Sequence, residues 1–567
     1  MILEHINDIA AICAGHHIDM AVISPGSRSA PLTLAFARHP DIRTKVVADE
    51  RAAAFIALGI AQQQQKPVAL ICTSGSAAFN YAPAIAEAYF QQIPLLVLTA
   101  DRPPEWIDQF DGQTIRQQGI YGNHVKGSYQ YPDQVNHPDI AWHGNRLMNE
   151  AILQSTDLPM GPVHVNIPFR EPFYPQEDER TLFRKVRIIE KEQPRLSLAD
   201  NSWTRLLDSW NNCSNRLIIG GQDNSDPSII AALSQLSKKG IPVVADVISN
   251  LHEVERAITH PDAFLAPGLD EQNATLSPEL LITFGKSNIS KNLKRFIRSH
   301  TPSQHWHIQP HERYQDTFQS LTELISIHPT DFFEQLNQKV TAGSIAYHNQ
   351  WTQRNQAVSD FHTCFFAKSA FGEFGAVKTV IHHLPENAQL HLANSMSVRY
   401  ANFIGLSGKK GTSVYCNRGT SGIDGSNSTA LGAALESGEM VTLITGDMAF
   451  FYDRNAFWHD HIPHNLRIVI LNNHAGGIFR LIKGPADQEE LEEYFETRQA
   501  LNAANTSLDF QMAYHKATNE QELALCLEDF FEESSQAKIL EIETDSTKNA
   551  LQFKEYKQGI AAILSQT

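Results

Sequence analysis

The chain has 567 residues, a formal net charge of −17 and the composition of an ordinary soluble globular protein. This length is too great for a single hydrophobic core and predicts roughly three domains. The negative charge argues against nucleic-acid binding, which needs a basic surface. No apolar run approaches the ~20 residues of a membrane-spanning helix, so the sequence also argues against a membrane protein.

The cysteines and the amino terminus indicate a cytoplasmic protein. The six cysteines are scattered along the chain without a C-x-x-C pair, which favours free thiols in a reducing compartment. The sequence begins MILEHINDIAAICAG, with acidic residues and no basic cluster, which is unlike a secretory signal peptide.

Residues 1–185 have the pattern of an α/β domain. A predicted strand over Met20–Ile23 ends in the loop SPGSRS at 24–29, which leads into a predicted helix near Ala30. A loop of small residues at the N-terminus of a helix is a natural anion site, and Arg28 adds a positive charge there. The alternative is an ordinary turn with a solvent-facing arginine.

The next predicted strand, Lys45–Ala48, ends just before an acidic residue at the start of a helix, Glu50. An acidic side chain at that position can simply complement the helix dipole. Further on, Gly75 to Leu95 and Gly446 to Leu466 show the same spacing from a glycine turn through a helix to a strand. This weak internal repeat predicts two similar α/β domains at the two ends of the chain.

The middle of the chain predicts a structural domain between those two. The segment 171–200 is charged and contains prolines, and we interpret it as a linker. In the predicted middle domain, 186–345, apolar runs followed by glycine recur at α/β spacing. The Gly-Lys-Ser triplet at 285–287 is not a P-loop, because Leu280 stands where the leading glycine is required. No G-x-G-x-x-G is present either, so a Rossmann-like domain without a nucleotide is expected.

The predicted third domain, 346–567, contains two loops that could face a ligand. A strand over Gln389–Ala393 is followed by the polar residues of 394–399. The loop NRGTSGIDG at 417–425 precedes a helix of small residues, and such a loop can present backbone N–H groups to a diphosphate. The last part of the chain, 480–567, shows one more apolar run and a final helix, with no residues that suggest chemistry.

Two oxygen-bearing side chains follow neighbouring predicted strands of the third domain. Asp447 comes directly after the apolar run 441–445, and Asn473 follows the run 466–471. Parallel strands end at the same edge of a sheet, where open α/β sheets bind ligands. A carboxylate and an amide oxygen are ligands that Mg²⁺ accepts, usually together with a phosphate. The alternative is that both are turn residues after two strands.

The Gly-Asp at 446–447 and the Asn-Asn at 472–473 resemble the metal-binding signature of thiamine diphosphate enzymes, although Met448 stands where many members have a third glycine. The resemblance implies that Asp447, the Asn473 side chain and the Ala475 carbonyl hold Mg²⁺ or Mn²⁺. It also implies that Glu50 activates the cofactor and that Ile423 holds it bent. The expected cofactor-binding residues are Glu50, Ser421, Gly422, Ile423, Asp424, Gly446, Asp447, Met448 and Asn473.

Four further motifs are more specific. SPGSRS at 24–29, TADRPP at 99–104, Asn394-Ser395 with Arg399, and NRGTSGIDG at 417–425 resemble the 2-succinyl-5-enolpyruvyl-6-hydroxy-3-cyclohexene-1-carboxylate synthase family of menaquinone biosynthesis. The resemblance covers nearly the whole chain. It implies three Rossmann-like parallel-sheet domains: a pyrimidine-binding domain at 1–185, a central domain at 186–345 and a diphosphate-binding domain at 346–567.

The resemblance also implies the substrates, 2-oxoglutarate and isochorismate. Both are dianions, and an acidic protein needs arginines to bind them, because guanidinium pairs with carboxylate in a bidentate way. The expected substrate-site residues are Ser27, Arg28, Arg102, Gln113, Lys291, Asn394, Ser395, Arg399, Arg418, Ile478 and Phe479.

The implied reaction is decarboxylation of 2-oxoglutarate and conjugate addition of the resulting succinyl carbanion equivalent to isochorismate. The implied assembly is a homo-oligomer, a dimer or a tetramer, with active sites at the dimer interface. Two alternatives are a related carboligase such as an acetolactate synthase, and a ligand-binding relative without turnover. The arginine pattern speaks against the first, because a small monocarboxylate needs fewer cations. The presence of Glu50, Asp447 and Asn473 speaks against the second.

Overall fold

A computed structural model describes residues 4–171, 173–174 and 182–565. Part of the predicted linker, at 172 and 175–181, therefore lies outside the described residues. The strands of the described residues form three parallel sheets, which confirms the predicted α/β class. No helix in these described ranges is long and apolar enough to cross a membrane.

The first sheet is built from the N-terminal part of the chain. Its strands are β1 Met20–Ile23, β2 Arg43–Val46, β3 Val68–Cys72, β4 Leu95–Asp101, β5 Ser128–Gln130 and β6 Val163–Pro168. They lie in the order β2-β1-β3-β4-β6-β5. The helices around them are α1 Glu4–Gly15, α2 Ala30–Arg38, α3 Glu50–Gln64, α4 Ser76–Asn80, α5 Ala82–Gln91 and α6 Pro138–Thr156.

The second sheet is smaller and has a different order. Its strands are β7 Arg216–Gly220, β8 Val243–Ala245, β9 Leu280–Phe284, β10 Gln304–Gln309 and β11 Glu323–Ser326. They lie in the order β11-β10-β9-β7-β8, a doubly wound arrangement. Its helices are α7 Asp200–Asn212, α8 Pro227–Lys238, α9 Pro261–Phe264, α10 Asp270–Asn273, α11 Lys291–Ser299 and α12 Pro329–Lys339.

The third sheet repeats the strand order of the first. Its strands are β12 Gln389–Leu392, β13 Ser413–Tyr415, β14 Val441–Gly446, β15 Leu466–Asn472, β16 Ala513–Ala517 and β17 Lys538–Glu543, in the order β13-β12-β14-β15-β17-β16. The helices are α13 Ile345–Phe366, α14 Glu373–His383, α15 Met396–Ile404, α16 Ser426–Glu436, α17 Asp447–Tyr452, α18 Ala504–Asp509, α19 Glu520–Phe530 and α20 Ser546–Leu564. The shared order agrees with the internal repeat.

Short turns of 3₁₀-helix and one π-helical turn connect these elements. The 3₁₀ turns are Pro104–Trp106, Gly122–His124, Val247–Ser249, Ala274–Leu276, Arg454–Phe457, Gly477–Leu481 and Pro485–Asp487. The π turn is Leu491–Phe495. Three of them, Pro104–Trp106, Val247–Ser249 and Gly477–Leu481, follow β4, β8 and β15.

Three local expectations differ from the structure. The strand β2 lies two residues earlier than expected, because Asp49 caps α3 by accepting a hydrogen bond from Ala52 N and so starts the turn early. The connection from β14 to β15 is the short helix α17 followed by a 3₁₀ turn, rather than one crossover helix. The tail also contains β16, which the sequence analysis missed because it is a partly exposed edge strand without an apolar run.

The first and third domains pack together through two helices in backbone contact. A Cβ atom at Gly59 of α3 would overlap the carbonyl oxygen of Thr429 in α16, and one at Gly432 would overlap that of Ile56. Glycine at both positions lets the two helices approach more closely than any side chain would permit. Residues of both domains therefore share one buried apolar cluster.

Candidate cofactor and substrate site

Four adjacent strands of the third sheet carry polar residues at their carboxyl ends. In the order β13-β12-β14-β15, the chain continues after each strand to Arg418, Asn394, Asp447 and Asn473. The pairing of Gly446 with Leu471 across β14 and β15 places the last two residues side by side. This edge brings the predicted metal ligands and one group of predicted substrate residues together, as expected where parallel strands end.

The Asp447 carboxylate is buried, with only 2% of the residue exposed. Gln499 donates a 2.7 Å hydrogen bond from its Nε2 to Asp447 Oδ2. Burial raises the pKa of Asp447 to about 6, while the hydrogen bond from Gln499 opposes that change. A divalent cation would stabilise the charged form and reverse the effect of burial.

The Asn473 amide is held on both sides. Its Nδ2 donates a 2.6 Å hydrogen bond to Glu373 Oε1, and its Oδ1 accepts one of 3.0 Å from Ala475 N. The Ala475 carbonyl accepts a hydrogen bond from Gly477 N, and a carbonyl oxygen has a second lone pair to offer. This arrangement leaves oxygen atoms of Asn473 and Ala475 as candidate ligands beside Asp447.

Glu373, at the start of α14, is a member of this group that the sequence analysis did not identify. The residue is 2% exposed. Burial raises its pKa to about 8, the hydrogen bond from Asn473 lowers it, and the charge of Asp447 raises it. Two neighbouring buried carboxyl groups form a site that a cation would stabilise.

The residues present fit a diphosphate with its metal. Ser426 Oγ, at the start of α16, is buried and finds no hydrogen-bond partner among the described residues. A Cβ at Gly446 would meet nothing within 4 Å, so there is open space beside Asp447. The described residues contain no cluster of three His, Cys, Asp or Glu side chains, and one carboxylate with amide and carbonyl oxygens is instead the donor set that suits Mg²⁺ bound to phosphate.

The loop 417–425, which precedes α16, holds the remaining predicted cofactor residues. Ser421 has φ of 63°, a left-handed conformation that costs a non-glycine residue on the order of 1 kcal/mol or more. Ile423 is 39% exposed although it is large and apolar. Gly422 and Asp424 lie on either side of it, both partly exposed, and Met448 is likewise partly exposed at the start of α17.

Asn394 ties this loop to the end of β12. Its Nδ2 donates 2.7 Å hydrogen bonds to the carbonyl oxygens of Asn417 and Gly422. Its Oδ1 accepts a 2.7 Å hydrogen bond from Arg418 Nη1. Asn394 therefore fixes both the loop backbone and one of the predicted substrate arginines.

Arg399 and Arg418 form a pair of cations at this edge. Burial lowers the pKa of Arg399, and the neighbouring charge of Arg418 lowers it further. Arg399 Nη1 donates to the carbonyl oxygen of Ser395, a residue with φ of 74°. Arg418 Nε is buried and finds no hydrogen-bond partner in the described ranges. Two adjacent guanidinium groups with an unused donor are suited to an anion.

A second group of predicted substrate residues lies at the end of the first sheet. Burial lowers the pKa of Arg28, and the charge of Arg102 lowers it further. Arg28 donates to the Phe169 carbonyl at 3.1 Å, and Arg102 pairs with Asp111 at 3.2 Å. Gln113, with φ of 56°, lies against Gly75.

Ser27 and Gln113 are exposed. Nearby, Thr73 Oγ1 and Ser74 Oγ are buried without a hydrogen-bond partner in the part of the chain that the structure describes. Sequence reasoning missed these two hydroxyl groups, since a Thr-Ser pair before a glycine turn carries no distinctive signal.

Glu50 is the first residue of α3, as predicted, and is partly exposed. Asn80 Nδ2 donates a 3.3 Å hydrogen bond to its Oε2. Among the described residues, no hydrogen bond or ion pair joins Glu50, Arg28, Arg102 or Gln113 to the group at the end of the third sheet. Within one chain, the two groups of predicted site residues are therefore not joined by hydrogen bonds or ion pairs of the described residues.

Lys291, Ile478 and Phe479 complete the predicted set. Lys291 is exposed at the start of α11, where the buried carboxylate of Asp262 accepts hydrogen bonds from Ser290 Oγ and Asn292 N at 2.8 and 2.9 Å. Ile478 and Phe479 are partly buried in the turn after β15. They lie in the chain just beyond the metal-site candidates, where an apolar wall is expected.

Two family models match parts of this chain. Residues 5–126 match the family model described as "Thiamine pyrophosphate enzyme, N-terminal TPP binding domain". Residues 190–392 match the model described as "Middle domain of thiamine pyrophosphate".

Full-length relatives carry a more specific name, 2-succinyl-5-enolpyruvyl-6-hydroxy-3-cyclohexene-1-carboxylate synthase. The protein of that name from Cytophaga hutchinsonii is 47% identical over 98% of this chain and 99% of its own. Those from Flavobacterium johnsoniae and Porphyromonas gingivalis are 39% and 36% identical, over 97% and 94% of this chain and 97% and 93% of their own. The chain therefore belongs to the 2-succinyl-5-enolpyruvyl-6-hydroxy-3-cyclohexene-1-carboxylate synthase family, whose members depend on thiamine diphosphate.

Proposed function

We propose that the protein decarboxylates 2-oxoglutarate and adds the resulting succinyl carbanion equivalent to isochorismate, with release of CO₂. The observation that carries this proposal is the row of Arg418, Asn394, Asp447 and Asn473 at the ends of four adjacent strands. It combines oxygen ligands for a metal diphosphate with cations for a dianionic substrate on one edge of a sheet.

Thiamine diphosphate, when bound, supplies a nucleophilic carbon and accepts the electrons released by decarboxylation. Asp447, Asn473 and the Ala475 carbonyl would hold Mg²⁺ or Mn²⁺ against its diphosphate. The N-terminus of α16, with the unpartnered Ser426 hydroxyl, would donate hydrogen bonds to the phosphate oxygens. Ile423, exposed at the loop before that helix, would support the cofactor ring.

The arginines would bind the substrate carboxylates. Both substrates carry two negative charges, whereas the protein has a net charge of −17, so local cations must offset the overall repulsion. Arg399 and Arg418 provide such a pair at the third sheet, and Arg28 and Arg102 provide another at the first. Four guanidinium groups suit two dicarboxylates better than one small monocarboxylate.

Glu50 would promote deprotonation of the cofactor from a second copy of the chain. Among the described residues it shares no hydrogen bond with the cofactor loop of its own chain. Its partner Asn80 follows the exposed Phe79, and Arg51, the residue after Glu50, contacts the exposed Tyr452. A homo-oligomer in which the first domain of one copy faces the third domain of another would bring both residue groups into one site. It would also cover these apolar side chains.

The test is CO₂ release from 2-oxoglutarate with thiamine diphosphate and Mg²⁺, measured with and without isochorismate. Release that depends on isochorismate, with a coupled product, supports the proposal. No release from 2-oxoglutarate but release from pyruvate would replace it with an acetolactate synthase-like function. Binding of the cofactor without turnover of either acid would indicate a non-catalytic relative.

A further inference from the structure

We infer that Glu87 is a positioning residue that holds the loop 417–425 from the neighbouring domain. Glu87 lies on α5 of the first domain and is 1% exposed. Its partners in the loop are 332 residues or more away along the chain. The role of the loop in cofactor binding rests on the proposed function, whereas the contact between Glu87 and the loop does not.

All four lone-pair directions of the carboxylate are used. Oε1 accepts hydrogen bonds from Gly419 N at 2.7 Å and from Gln91 Nε2 at 2.6 Å. Oε2 accepts from Thr420 N and from Thr420 Oγ1, both at 2.6 Å. Each of these partners is a neutral N–H or O–H donor. Two of the donors are backbone groups of the loop, and the contact therefore fixes the loop backbone.

The loop lies directly against α5 at this point. A Cβ at Gly419 would lie 2.6 Å from the main-chain oxygen of Glu87 and 3.1 Å from its carboxyl carbon. Only glycine permits this approach. Both Glu87 on α5 and Gly419 in the loop are therefore needed for this hydrogen-bonded contact.

The middle domain holds Cys416, the residue just before the loop 417–425. Gln91, one helical turn after Glu87, accepts a 3.0 Å hydrogen bond from Gln222 Nε2, which also donates to the Cys416 carbonyl at 2.8 Å. The chain from Cys416 to Thr420 is thus held by side chains of two other domains. The residues that follow Thr420 include Ser421, with its strained backbone, and the exposed Ile423.

Glu87 contacts neither the Arg418 guanidinium nor the Ile423 side chain in these interactions. It acts on them through the backbone of Gly419 and Thr420, which lies between them in the chain. Because Ser421 adopts an unfavourable backbone conformation, its surroundings must maintain it. We assign this task to Glu87 together with Asn394.

The test substitutes Glu87→Gln, which preserves the volume but replaces one acceptor oxygen with an NH₂ group. In either orientation, that group faces a backbone N–H of the loop, of Gly419 or of Thr420, which then loses its acceptor. We expect hydrogen exchange at 419–424 to accelerate at least ~10-fold, and the Kd for thiamine diphosphate with Mg²⁺, measured by intrinsic fluorescence, to rise at least ~10-fold. The matched control is Glu150→Gln, an exposed carboxylate of α6 paired with Arg146, which is expected to change neither.

Unchanged exchange at 419–424 with an unchanged Kd would overturn the inference. So would faster exchange spread evenly over the first domain with an unchanged Kd, because that result indicates a general loss of stability. If Glu87→Gln does not fold, Thr420→Val removes one of the four hydrogen bonds and is expected to shift both quantities in the same direction by a smaller factor. Failure of the wild-type protein to bind thiamine diphosphate would contradict the proposed function, whereas the exchange comparison would still test Glu87.

Discussion

The side-chain amide of Asn473 lies 2.6 Å from the buried carboxyl group of Glu373, 100 residues earlier in the chain. A carboxylate accepts hydrogen bonds and therefore orients the amide with its nitrogen toward Glu373. This leaves the amide oxygen turned away from Glu373, where it accepts a 3.0 Å hydrogen bond from Ala475 N. An asparagine can rotate its amide either way, and this relationship fixes the orientation in which its oxygen would be offered to a cation.

Replacing Glu373 should weaken metal binding. Glu373→Ala removes the group that orients Asn473, and loss of such a partner typically costs about 10–100-fold in metal affinity. Mn²⁺ binding in the presence of thiamine diphosphate, followed by electron paramagnetic resonance, measures this change. The control is Glu439→Ala, at an exposed turn of the same domain. Equal Mn²⁺ affinity in the two variants would show that Glu373 does not support metal binding.

Glu50→Gln should separate cofactor binding from catalysis. The amide keeps the shape of the side chain but cannot act as the acid–base group, whose contribution is typically 10²–10⁴-fold. We expect kcat for CO₂ release to fall by about that range, while the Kd for thiamine diphosphate changes by less than about threefold, a factor worth less than 1 kcal/mol. Glu105→Gln, an exposed residue paired with Arg170, serves as the control. Full activity of Glu50→Gln would refute the assignment.

The helix contact at Gly59 should be intolerant of any side chain. Gly59→Ala would place a methyl group against the Thr429 carbonyl oxygen, and such overpacking typically costs about 1–3 kcal/mol. Gly438→Ala is a suitable control, because a Cβ there meets nothing within 4 Å. Urea unfolding of both variants measures the difference. A Gly59 variant as stable as the control would show that the helices can separate without cost.

The buried carboxyl group of Asp453 should make stability depend on pH. It accepts hydrogen bonds from Ser428 N and Ser428 Oγ, both at 2.8 Å. Burial raises its pKa from 3.8 to about 7, with hydrogen bonds from Ser428 and the charge of Arg51 opposing the shift and that of Asp424 adding to it.

The folded state therefore binds an extra proton between about pH 4 and pH 7, so this group's contribution to the free energy of unfolding decreases as pH rises through that window. Between pH 5 and pH 7, the decrease is about 2 kcal/mol. Asp453→Asn should lack this slope when both proteins are unfolded by urea at the two pH values without cofactor. A difference between them that does not vary with pH would contradict the prediction.

The sequence was informative where a feature is local. Asp447 and Asn473 follow apolar runs that predict buried parallel strands, and the pairing of β14 with β15 agrees with the expectation that these strands end at one edge. The equal strand order of the first and third sheets could likewise be predicted from a repeated spacing.

The residues that support the site could not be predicted in this way. Glu373 and Glu87 look like ordinary helix glutamates, and Gln499 lies in a loop without a recognisable pattern. Each acts on a partner 52 to 333 residues away, and nothing in its neighbours in sequence encodes that distance. The edge strand β16 was not predicted for a different reason, because its half-exposed residues do not alternate clearly between apolar and polar.

The contact of α3 with α16 has a consequence for how substrate enters and product leaves. Glycines 59 and 432 place the two helices in backbone contact, so the first and third domains of one chain cannot hinge apart without exposing buried backbone and apolar side chains. Any opening of the site would then have to involve segments outside this helix pair. The exposed loop around Phe110 and Gln113 and the turn at 477–481 lie outside this helix pair, so a change of conformation in either would leave the contact between α3 and α16 intact.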